Sequence, residues 1–199
     1  DVALSAVALL EFKDLKKYVN IDSKLIESLT SFILSKKNAN GQFEVRKSYE
    51  MKYPYSNYSW ARNMYVLFAL SKSGFKNEIQ DAYNINLKRV LATKDSYQLA
   101  LMANTSASLG KNEDYKTLIT LLNQQYESKN IKTETTFTGS KGRSANAETL
   151  ALYMMALQKD EKNQQLKIAQ VADELINYNG YYGFGSTQAT ALALETLSD

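Results

Sequence analysis

Apolar positions along this chain fall into two alternating patterns. In residues 22–36, Leu25, Ile26, Leu29, Phe32 and Ile33 recur at i, i+1, i+4, i+7 and i+8, with Lys24, Glu27, Ser28 and Ser31 opposite. That spacing gathers the apolar groups on one side of a helix and leaves the other side wet. Residues 77–91 repeat it with Ile79, Tyr83, Leu87, Val90 and Leu91. Residues 112–126 do so with Tyr115, Leu118, Ile119, Leu122 and Tyr126, and residues 164–178 with Leu166, Ala169, Ala172 and Ile176. The second pattern is apolar or small nearly all round: "VALSAVALLEF" (2–12), "WARNMYVLFAL" (60–70), "YQLALMANTSASLG" (97–110), "ETLALYMMAL" (148–157) and "TQATALALETL" (187–197). A helix of that kind is stable only when other helices surround it.

The two patterns alternate strictly, four pairs and then a last all-round apolar segment. Strand-like alternation is scarce and proline occurs once, at Pro54. Small residues in the second kind, among them Ala3, Ala6, Ala69, Ala100, Ala103, Ala151, Ala156, Ala189, Ala191 and Ala193, let backbones come close at a crowded centre. The pattern predicts an all-α, single domain over residues 1–199. Its expected architecture is an alpha/alpha toroid of antiparallel helical hairpins, incomplete, with about four hairpins and a final inner helix. A linear solenoid also buries one layer of helices and stays open as an alternative.

The connections carry turn chemistry. Gly41 and Gly180 are expected as helix stops, Gly110 as the end of one helix, and Asn112 as the N-cap of the next. Ser144 is expected to cap the helix that follows "FTGSKGR", with Glu148 adding negative charge near its start. In "YYGFGSTQATALALETL" (181–197), Gly180, Gly183 and Gly185 let the chain turn sharply where a Cβ would clash, and Ser186 or Thr187 caps the last helix. A phosphate-binding loop would place a strand before the glycines and a Lys after them, and neither stands there.

Composition narrows the chemistry. The chain holds no Cys and no His among its 199 residues. A thiolate nucleophile, a Cys-based zinc site and a His-assisted acyl transfer are thus excluded within it. The formal net charge is +3, with no block of like charges, which disfavours nucleic acid as a partner. The apolar runs are far shorter than the roughly 20 residues that cross a bilayer. Asp1 leads directly into "VALSAVALLEF", so the chain is expected to start inside a helix, as a piece of something longer.

Several quoted stretches resemble, in order, the thioester-containing domain of the alpha-macroglobulin and complement superfamily. "YGFGSTQATALALETL" (182–197) is similar to the "GG-G-STQ-T" turn that opens that family's final inner helix. "SANAETLALYMMALQ" (144–158), "DSYQLALMANTSASLGK" (95–111), "ILSKKNANGQFE" (33–44) and "VNIDSKLIESLTSFIL" (19–34) resemble its earlier helices and hairpin exit. The resemblance implies an α/α toroid whose first hairpins lie upstream of Asp1. It implies a non-catalytic domain of an alpha-2-macroglobulin-like protein, the bacterial members being most similar, engaged in protease trapping or inhibition or in surface defence. Location outside the cytoplasm, contacts with other domains of a parent protein and proteases as targets follow from it. So does a monomeric state for the isolated piece.

The family's Cys–Gly–x–Glu–Gln motif, which forms the thioester, is absent. "YPYSNYSW" (53–60) carries Ser56–Asn57 where bacterial members have Gly–Cys. No His follows the "GQF" turn to accept an acyl group. No catalytic, cofactor-binding or metal-ligating residue and no cofactor is assigned. Glu44, Arg46, Lys47, Glu50 and Lys52 read as a solvated loop of mixed sign. Tyr49, Tyr53, Tyr55, Tyr58 and Trp60 read as rings packing a loop against the rim, an exposed recognition surface being the other option. Asn57 and Asn104 head glycosylation sequons, the second on an expected inner helix. Glu11, Glu148 and Glu195 are the acids on inner helices, with no spacing that forces them together as a glycosidase pair. An enzyme on the same toroid is the competing reading. A terpenoid cyclase would carry a "D-x-D-D" motif and a prenyltransferase a Cys- and His-containing zinc site, and neither is present.

Overall fold

The structure, a computed structural model, describes residues 1–43, 56–181 and 183–198. The expectations for Glu44, Arg46, Lys47, Tyr49, Glu50, Lys52, Tyr53 and Tyr55 lie outside these residues, as do the side chains of Ser56 and Asn57. Among the described residues the fold is all-helical, with nine α-helices and no strand. They are α1 (Val2–Leu15), α2 (Ser23–Ser35), α3 (Ser56–Lys72), α4 (Gln80–Thr93), α5 (Ser96–Leu109), α6 (Asn112–Glu127), α7 (Gly142–Leu157), α8 (Glu161–Asn177) and α9 (Thr187–Ser198). Short 3-10 turns, Asn77–Ile79 and Gln158–Asp160, lead into α4 and α8.

Packing follows the two sequence patterns except on α8, where Leu166, Ala169 and Ile176, expected to face inward, are exposed and Ile168, Val171 and Leu175 meet the core with Ala172. The all-round apolar helices contact one another in chain order: α1 with α3, α3 with α5, α5 with α7, α7 with α9. Each amphipathic helix lies on its neighbours in the chain, α2 on α1, α4 on α3 and α5, α6 on α5 and α7, α8 on α7. One apolar core runs from Val2 to Ala193 and includes Leu67, Leu99, Leu101, Met102, Leu150, Leu152 and Leu192. In α5 and α7 several polar side chains are buried too, among them Gln98, Thr105, Ser106, Glu148 and Thr149. Asn104 is another: its Nδ2 donates to the Ala100 carbonyl at 2.9 Å and to the Leu152 carbonyl at 2.8 Å, stitching α5 to α7.

Polar bonds tie elements distant in sequence. Asp1 pairs with Arg62, which joins α1 to α3, and Lys72 pairs with Glu195, which joins α3 to α9. Gln188 of α9 is hydrogen-bonded to Tyr65 of α3. Along the amphipathic helices, Lys37 reaches Asp81 at 2.8 Å and Lys167 pairs with Glu127. Arg143 of α7 donates to the Asn177 and Tyr178 carbonyls at 3.1 and 2.8 Å, closing the C-terminal end of α8 with a cation where the helix dipole favours one.

Several turn expectations are corrected. Asp1 caps α1 by accepting from the Ala3 and Leu4 amides. Asn112 is already helical and Lys111 precedes it as the cap position, with no side-chain bond. Ser144 lies inside α7, which starts at Gly142, so it caps nothing. Helix α2 ends at Ser35 and α8 at Asn177, several and three residues before Gly41 and Gly180 respectively. Gly41 serves another purpose: with φ +72° it brings the 38–42 turn against α4, where a Cβ would stand 3.0 Å from the Ala82 nitrogen. Gly110, with φ 72°, ends α5 as expected.

Candidate functional site

The region richest in buried polar chemistry lies where the α6–α7 connection meets the start of α9. Glu148 is in the second turn of α7, and its side chain is fully buried. It is turned inward, so it does not act on the first turn as a surface charge. Four hydroxyls surround its carboxyl: Thr136, Thr138 and Ser140 from the connection, and Ser186 from the turn before α9. Ser186 donates to Oε1 at 3.1 Å and Thr138 does so at 3.4 Å. Thr138 is itself bonded to Thr136 at 2.9 Å and Ser140 at 3.0 Å. Oε2 has no hydrogen-bond partner. Burial is the main influence and pushes the carboxyl above its usual range, against the pull of the hydroxyl donors.

Asp95 makes an instructive contrast. It is also buried, and burial raises its carboxyl as well, but Oδ1 accepts from the Gln98 amide and Oδ2 from the Glu134 amide, both at 3.0 Å, and these donors oppose the rise. One oxygen caps α5 and the other anchors the α6–α7 connection. Phe137 of the same connection stacks on Tyr65 of α3, centroids 3.8 Å apart. The Tyr97 hydroxyl of α5 accepts from the Phe137 amide at 3.5 Å.

Residues 183–186 form the other wall. Gly185 adopts φ +93°, and a Cβ there would overlap the Ser144 hydroxyl of α7. Ser186 then caps α9, its Oγ accepting from the Ala189 amide at 3.0 Å, so the serine alternative of the sequence reading holds and Thr187 is the first helical residue. Ser186→Ala is expected to lower the unfolding free energy by about 1 kcal/mol, read from urea denaturation. Ser186→Asn, which can cap as well, is expected to lose less.

Glu11, Glu195 and Glu148 all act electrostatically on the Tyr65 hydroxyl, which burial already holds far above its ordinary range. Sequence spacing did not reveal this, because the three sit on separate helices whose phases are set by packing. They do not form an open pair: Glu195 is bound to Lys72 and Glu148 is sealed from solvent. The arrangement can hold a proton and can fix three elements to one another. Tyr58 donates nothing to a surface patch here; its hydroxyl accepts from Arg62 at 2.9 Å, and Trp60 packs against the core with Arg89 over its ring. No group of three or more acidic residues suited to a metal ion occurs among the described residues. No helix among them is long and apolar enough to cross a membrane. No protein-family model matches this chain, and no curated protein does.

Proposed function

We propose that this chain is the closing part of an α/α toroid of the alpha-macroglobulin thioester-domain type, a non-catalytic domain of a protein that traps or inhibits proteases outside the cytoplasm. One observation carries the reading most of the way. The "GFGSTQ" turn that prompts the family comparison is built for one seat, with Gly185 pressed on Ser144, Ser186 capping α9 and bonded to Glu148, and Gln188 bonded to Tyr65. Gly185, Ser186 and Gln188, three of the residues that make the stretch similar to the family, thus each have a structural task.

The packing order of the inner helices supports the toroid within this proposal. A row α1–α3–α5–α7–α9 in which α3 also reaches α9 through Lys72 and Glu195 is bent toward closure, whereas a straight solenoid keeps such helices apart. An enzyme on the same fold has less to work with, since the buried acid is closed off and the acid beside it is held by a lysine.

The test uses the natural protein that carries this chain, mixed with endoproteases. Trapping predicts that bound protease still cleaves a short peptide substrate while its action on a large protein substrate is blocked. Unchanged cleavage of the large substrate counts against the proposal. Hydrolytic turnover by the chain itself, lost on substitution of one carboxylate, replaces it with the enzyme reading.

A further inference from the structure

We propose that Glu148 stands in the folded chain as the neutral acid and works as a proton-operated clasp on residues 183–186 and the first turn of α9. With the proton in place the turn stays seated; when the proton leaves, the turn and the start of α9 loosen.

The geometry points this way from three sides. First, an ionised carboxylate sealed from water needs donors on both oxygens, and Oε2 has none. Asp95, anchored to the same connection, differs in having a backbone amide on each oxygen, although burial raises its carboxyl too. Second, the groups facing Glu148 offer no compensating charge. Glu148 acts electrostatically on Tyr97 of α5 and Tyr65 of α3; Asp95 acts on the first of these phenols, and Glu11 of α1 and Glu195 of α9 act on the second. The α6–α7 connection contributes hydroxyls, and Lys72 is engaged by Glu195. A negative charge at Glu148 would therefore meet phenols and other acids. Third, the carboxyl has leverage. Ser186 donates to it and at the same time accepts from the Ala189 amide, so the acid and the helix cap share one hydroxyl. On the other side Thr138 links it to the turn that holds Phe137 against Tyr65.

The proton balance sets the sign. Seated, Glu148 keeps its proton; once the turn opens, the side chain reaches water, ionises as an ordinary glutamic acid and releases one proton to solvent. Opening is therefore favoured as pH rises. The stabilisation is complete below the ordinary carboxyl value of 4.5, fades as pH climbs from there toward the raised value of the buried group, and is constant beyond it.

Hydrogen exchange at the Ala189 and Thr190 amides, expressed as protection factors from pH ~5 to pH ~9, tests the clasp. In that window their protection is expected to fall about tenfold per pH unit until the buried acid itself ionises. The Leu101 amide of α5 should hold its protection while they lose theirs. Glu148→Gln, neutral at every pH, should abolish the slope. The carboxyl carbon of Glu148, followed by NMR in the unaltered chain, should titrate together with the Ala189 amide, which keeps the test independent of how the variant folds. Titration in the ordinary range, a slope that survives Glu148→Gln, or equal loss of protection at Leu101 each overturns the proposal.

Discussion

Leu101→Ala is expected to lower the unfolding free energy by about 2–5 kcal/mol, while Leu166→Ala should change it by less than about 0.5 kcal/mol. Both residues are leucines on helices, and a sequence scan weights them alike. Leu101 sits on α5, which is buried along nearly its whole length between α3, α6 and α7, and its own side chain is fully buried. Cutting it back leaves a void lined by helices that touch one another across small residues and have little room to collapse. Leu166 lies on α8 and is 75% exposed, so its methyl groups are largely in water in either state. Denaturant midpoints at unchanged slope measure the difference. Similar losses for the two variants would mean that the inner and outer layers do not differ in kind.

Gly185→Ala is the second large effect, expected to cost about 2–5 kcal/mol. A left-handed backbone with a Cβ contributes about 1–2 kcal/mol of it. Forcing that Cβ into the Ser144 hydroxyl contributes about 1–3 kcal/mol. The two parts are separable. With Ser144→Ala in the background the hydroxyl is gone, while the Ser144 Cβ position stays 3.5 Å away, an ordinary contact. The double variant should recover the overpacking share and keep the backbone share, so a double-mutant cycle gives a coupling of about 1 kcal/mol or more. Strict additivity would show that the two residues do not meet. Thermal unfolding followed by circular dichroism is sufficient to read it.

Nine helices and their alternation were legible because burial leaves a period in the sequence. In α2 and α6 the apolar stripe is one-sided, and in α5 and α7 polar residues such as Thr105, Ser106 and Thr149 hide among apolar ones by bonding back to carbonyls four residues earlier. The helix edges were less legible. Asn112 and Ser144 have the right chemistry for caps, but a cap needs non-helical backbone at its own position, and the helices start earlier there. Asp1 was overlooked as a cap because a residue at the edge of a sequence shows no pattern on its far side. Glu148 was misjudged for a different reason. The hydroxyls that accommodate it come from residues 136–140 and 186, which only tertiary packing brings to it. The electrostatic influence of Glu11, Glu148 and Glu195 on Tyr65 is of the same origin.

Asn104 carries a consequence for the history of any individual molecule. Its amide nitrogen is the atom to which a sugar would be joined, and in the folded chain that nitrogen is spent on the Ala100 and Leu152 carbonyls with no path from solvent. A glycan could be attached only before α5 and α7 come together, and once attached it would wedge them apart. Occupancy at this sequon would therefore record that modification outran packing, and the molecules bearing it would be those unable to complete their fold.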